Sequence, residues 1–149
     1  MWCRHSIPFT AAVAVLVACD DDVTGPAAEC TDDTGVVTVS VSNATRPIVS
    51  WDPACPVAMF LVEEEASDQW AISTDDSSWN DPSQANLIDP PVTYGIVPSA
   101  AAESGPAAPL QAGTTYEVIL WRVLTPDSTA MCLQRFEQLC LMAVHEFVR

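Results

Sequence analysis

The run Leu110-Gln111-Ala112-Gly113-Thr114-Thr115-Tyr116-Glu117-Val118-Ile119-Leu120-Trp121-Arg122-Val123 constrains this chain more than any other stretch. A turn at Gly113 leads into a segment dense in β-branched and aromatic residues, which predicts a strand of about eight residues. Side chains alternate across a strand, so Tyr116, Val118 and Leu120 share one face and Glu117, Ile119 and Trp121 the other. Apolar residues on both faces predict a central strand covered, at least in part, on both sides. The 149 residues suffice for one domain, and twelve prolines and five glycines suit short strands better than long helices. A hydrophobic fraction of 49% supplies a core and argues against global disorder.

Leu110 stands six residues before the strand-opening Tyr116. This is the spacing of a tyrosine corner, in which the phenol hydroxyl reaches back to the backbone of the preceding connection. Further strands are expected at Val36–Val41, Ile48–Trp51, Met59–Glu63, Gln69–Ser73 and Leu141–Val148. Asn86–Ile88 and Val92–Ile96 flank Asp89-Pro90-Pro91 and read as edge-like pieces, because proline interrupts a ladder. Residues 75–84, 98–109 and 125–138 read as loops, with Arg135-Phe136-Glu137 fit for a helical turn. About seven short strands with turn signals between them predict an all-β, seven-strand, two-sheet β-sandwich.

The N-terminus reads as an address. Arg4 and His5 precede an uncharged, mostly apolar stretch from Pro8 to Ala18, the length of a signal-peptide core and too short to span a bilayer as a stable helix. It ends in Leu16-Val17-Ala18-Cys19, which resembles the lipobox of bacterial lipoproteins. The resemblance implies cleavage after Ala18, acylation of Cys19, and anchoring in the lipid bilayer of the cell membrane or outer membrane, facing the periplasm or exterior. Two or more acyl chains, at about 0.8 kcal/mol per buried CH2, would hold the protein stably. Residues 1–18 are thus read as signal peptide, 19–34 as acylated cysteine and acidic tether, and 35–149 as the sandwich. Apart from Cys3 and Cys19, four cysteines remain: Cys30, Cys55, Cys132 and Cys140. Behind an export signal they predict two disulfides, with three possible connectivities. No Cys-x-x-Cys pair exists, and no metal or cofactor is expected.

Two segments are similar to the fibronectin type III family. Ile48-Val49-Ser50-Trp51-Asp52-Pro53 resembles its second strand, where a buried tryptophan precedes a proline. Leu110-x-x-Gly113-Thr114-x-Tyr116-x-Val118-x-Leu120 resembles its sixth. The resemblance covers roughly residues 35–149 and implies that Trp51, Leu110 and Tyr116 are structural core. Fibronectin modules generally lack disulfides, so a related immunoglobulin-like sandwich stays open, although Trp51 precedes Cys55 instead of following a strand cysteine. In a seven-strand sandwich the loops after strands two, four and six share the end at which the chain arrives. That topology gathers all four cysteines at one pole and favours Cys30–Cys55 and Cys132–Cys140.

Twenty acidic residues against five arginines give a net charge of −15. Such a chain repels phosphates, which excludes nucleic acid as a partner. His145, the one histidine after Cys19, sits mid-strand and reads as a sheet-surface residue. No Gly-x-Ser-x-Gly nucleophile motif accompanies it, so no catalytic residues are expected. Glu63-Glu64-Glu65 reads as a solvated strand end, and the acidic run Asp75–Asp81 lacks the ordered spacing of a calcium loop. Trp70, Trp79 and Trp121 are the possible ligand surface. These readings converge on a non-catalytic, membrane-tethered binding or scaffolding module of the bacterial cell envelope, with an envelope protein or glycan as partner. The alternative is a carbohydrate-binding accessory protein or a small secreted enzyme.

Overall fold

The computed structural model describes residues 29–149. The expected leader, Cys3, the expected acylation site Cys19 and Asp20-Asp21-Asp22, read as the start of a tether, lie outside the described residues. Among the described residues, nine strands form two antiparallel sheets with almost no helix. They are β1 (Thr38–Val41), β2 (Ile48–Asp52), β3 (Met59–Glu64), β4 (Ser67–Ser73), β5 (Val92–Thr93), β6 (Ala102–Glu103), β7 (Thr115–Val123), β8 (Gln134–Phe136) and β9 (Leu139–Val148). The small sheet has the order β1-β2-β5 and the large one β6-β4-β3-β7-β9-β8. The protein is an all-β, two-sheet sandwich.

Alternation places the core. In β2, Val49 and Trp51 are buried between exposed or half-buried neighbours; so are Phe60 and Val62 in β3, Trp70 and Ile72 in β4, and Tyr116, Val118 and Leu120 in β7. These side chains belong to one cluster between the sheets. Aromatic rings cross it in sequence, with centroids 6.4 Å apart for Trp51–Phe60, 5.8 Å for Phe60–Trp70 and 5.3 Å for Trp70–Tyr94. β7 is central, paired with β3 on one side and β9 on the other. Its second face, with Glu117, Ile119 and Trp121, is half-buried.

The strand count is corrected from seven to nine. β6 and β8 arise in segments read as loops. β6 lies in an Ala/Ser/Gly/Pro stretch with no alternation and is held by its partners: Ile72 pairs with Glu103, and the indole N–H of Trp70 donates to the Glu103 carboxylate at 3.0 Å. Arg135 and Phe136 belong to β8 and form no helical turn, because the chain reverses at Glu137, whose φ is +52°, and pairs back onto β9. Residues 75–84 contain a 3-10 turn, Asp76–Ser78, and a one-turn helix, α1 (Pro82–Ala85). Of the expected 86–88 piece only an isolated bridge between Ile88 and Val57 forms. Asn86 turns inward instead: its side-chain amide donates to the Val123 carbonyl at 2.7 Å and accepts from the Val123 N–H at 2.9 Å. It thus satisfies a buried strand end as another strand would.

Candidate functional site

Both disulfides form as expected. Cys30–Cys55 and Cys132–Cys140 have Cα separations of 5.0 and 5.3 Å, and all four cysteines pack in or against the main core cluster. Around them the N-terminal segment is fastened by polar contacts as well. The Arg122 guanidinium, carried on the inner face of β7, donates from Nη1 to the carbonyls of Thr31 at 2.9 Å and Thr34 at 3.3 Å. Burial lowers the Arg122 pKa, and the nearby Asp32 carboxylate opposes that shift. The Asp33 carboxylate accepts from the Thr129 N–H and hydroxyl, both at 2.9 Å, which holds it below the usual carboxylate range. Gly35 lies against the Met131 backbone, where any Cβ would collide with the carbonyl oxygen. The Trp51 indole N–H donates to the Cys55 carbonyl at 2.7 Å, tying the disulfide to the core.

The residues read as structural take the following places. Trp51 is buried, and Leu110 packs partly buried against the same cluster. Tyr116 is buried, and its hydroxyl accepts from the Gln111 N–H at 2.7 Å, the reach-back that the spacing anticipates. Tyr94, which the sequence did not single out, makes a second anchor: its hydroxyl donates to the Ala108 carbonyl at 2.7 Å. Burial, with Tyr116 nearby, pushes its pKa up to about 12.

The three tryptophans separate. Trp70 is 2% exposed and belongs to the core, so its reading as ligand surface is corrected: it shares the inward face of β4 with Ile72, opposite Gln69, Ala71 and Ser73. Trp79 is half-buried, donates to the Thr74 hydroxyl at 3.3 Å, and lines an open cleft of about 470 Å3 with Val123, Pro126, Phe136 and Leu139. Trp121 lies on the outer face of the large sheet, and its ring centroid is 5.9 Å from that of the exposed Phe136 on β8. Phe136 was expected in a helical turn and not on a ligand surface, because its segment showed no strand pattern.

That outer face is graded from pole to pole. At the cysteine pole, Met59, Trp121 and Leu141 lie side by side; next come Ala71, Leu61, Ile119 and Val144. At the far pole the register aligns Asp68, Glu63, Glu117 and Glu146. Burial and the charge of Asp68 raise the Glu63 pKa above its ordinary value. Glu63 is therefore more than a solvated strand end. His145 is also reassigned: it pairs with the core-facing Val118 and is half-buried on the inner side of β9. Asp75 and Asp81 cap the 3-10 turn and α1, accepting from Ser77 and Ser83 N–H at 3.0 Å each. Among the described residues no group of three or more His, Cys, Asp or Glu side chains is gathered as a metal site. No protein-family model, curated protein or solved structure matches the chain.

Proposed function

We propose that the protein is a membrane-tethered, extracytoplasmic binding or scaffolding module of the bacterial cell envelope, held by an acylated Cys19 and built on a fibronectin type III-like sandwich. The observation that carries the reading is the fastening of residues 30–35. A disulfide, a buried arginine and a carboxylate cap join this segment to three separate parts of the sandwich. A domain hung from its N-terminus needs such a junction, because any pull on the tether otherwise peels the first strand from its sheet. Two disulfides suit an oxidising compartment outside the cytoplasm. Trp51 buried before Asp52-Pro53 and the Tyr116–Gln111 bond support the fibronectin-like assignment. The experiment is fractionation of a bacterial host expressing the full chain. Wild type is expected in membranes and Cys19→Ala in the soluble fraction; a Cys19→Ala protein that still sediments with membranes refutes the anchor.

A second reading, glycan recognition, draws on the half-exposed Trp121–Phe136 pair beside the Trp79 cleft. Binding on a glycan array that Trp121→Ala abolishes would favour it.

A further inference from the structure

One edge of the large sheet is open where β9 runs past its neighbours. β8 covers only Leu139–Leu141, and the Val37 N–H reaches the Met142 carbonyl. From Ala143 to Val148, β7 is the one strand hydrogen-bonded to β9 among the described residues, while β1 of the small sheet passes close by without bonding to it. Strand parity identifies the groups left over. The Trp121 carbonyl accepts from Ala58 on the β3 side of β7, so Glu117, Ile119 and Trp121 direct their backbone groups to β3. Tyr116, Val118 and Leu120 then bond to Phe147, His145 and Ala143 of β9. The Arg149 N–H, which donates to the Thr114 carbonyl, has the same parity. Val144, Glu146 and Val148 therefore aim their N–H and C=O groups away from the sheet, and no hydrogen bond among the described residues reaches them. A free edge of this kind is a template for another strand. Val144 and Val148 are 45% and 65% exposed.

Charge selects what that strand can be. Glu146 ends the file Asp68–Glu63–Glu117–Glu146, whose members stand on four neighbouring strands about 4.8 Å apart. Like charges directly opposite one another destabilise a sheet, and a cation at its end relieves the repulsion. A second copy of the chain, paired antiparallel about a two-fold axis centred on this edge, would set Glu146 against Glu146, in a molecule whose net charge is already −15. A basic strand meets the opposite situation.

We propose that the free edge of β9 is a strand-addition site for an extended segment of a protein partner, antiparallel to β9, with a lysine or arginine opposite Glu146 and apolar residues opposite Val144 and Val148. The proposal rests on the reading of the chain as a binding module and is independent of the lipid anchor. The site runs toward the Arg149 pole, away from the cysteines, so a chain held by its N-terminus presents it outward.

The test uses the full-length chain in neutral detergent and fluorescence anisotropy of a labelled heptapeptide, Thr-Val-Thr-Lys-Thr-Val-Thr. Replacing its central lysine by glutamine is expected to weaken binding roughly threefold to fivefold, and by glutamate further. Added salt narrows the gap. Glu146→Lys in the chain reverses the order, making the glutamate peptide the tighter ligand. Val144→Pro removes an outward N–H without touching the β7 ladder and weakens binding about tenfold, with near-ultraviolet dichroism unchanged. A lysine peptide that binds both variants as well as wild type docks elsewhere and overturns the proposal. So does the absence of binding by any of the three peptides, or a wild-type dimer that Val144→Pro converts to monomers. Each of these outcomes leaves the Cys19→Ala fractionation untouched, and a failed anchor leaves the peptide result standing.

Discussion

Tyr116 shows how one hydroxyl can organise a connection. Its ring is buried and its oxygen satisfies the Gln111 N–H, so the chain between Ala108 and Gly113 is pinned before β7 begins. Tyr116→Phe keeps the ring and leaves that N–H without its partner. It is expected to destabilise the fold by about 1–2 kcal/mol in chemical denaturation, with an unchanged dependence on denaturant. A loss near zero would mean that the hydroxyl does not anchor the turn. This contact was legible in the sequence because its partners are five residues apart and a turn glycine lies between them. Arg122 was not legible. It reads as an ordinary strand residue, and its partners Thr31 and Thr34 are some ninety positions away.

At the scale of strands, the long elements announced themselves and the short ones did not. β2, β3, β4, β7 and β9 carry alternation or apolar runs, since each buries a face of its own. β6 and β8 are two and three residues long, exposed, and defined by the strands they pair with, so no local pattern marks them. Register was equally hidden: nothing in the chain order places Glu63, Glu117 and Glu146 in one line, because that alignment depends on how three strands slide against one another. The line has a measurable consequence. Burial, then Asp68 and Glu117, raise the folded-state pKa of Glu63 above its ordinary 4.5. Above about pH 4.5 the unfolded chain loses this proton first, so stability falls as pH climbs through the raised folded value. Glu63→Gln is expected to flatten that decline and to raise the melting temperature at neutral pH. An unchanged slope would show that Glu63 does not feel its neighbours. Asp33 acts in the opposite direction: its lowered pKa gives stability that is lost only as pH falls below the ordinary 3.8.

For the molecule as a whole, the cysteine pole and the β9 edge lie apart, and the proposed function gives them different tasks. One pole joins the sandwich to what precedes it, while the free edge and the carboxylate file stand toward the other. Both pairings followed from the order of cysteines along a sandwich, whose loops alternate between two ends. Removing Cys30–Cys55 by a double alanine substitution is expected to destabilise the fold by about 3.5 kcal/mol and removing Cys132–Cys140 by about 2.5 kcal/mol, following the loops they close. The reverse ranking in equilibrium unfolding would contradict the role given to the first bridge. The tethered reading itself turns on how the mature chain begins. Intact mass and N-terminal peptide analysis of protein purified from membranes should find Cys19 as the first residue, carrying a diacylglyceryl group. A mature chain that begins elsewhere, or with an unmodified Cys19, would contradict it.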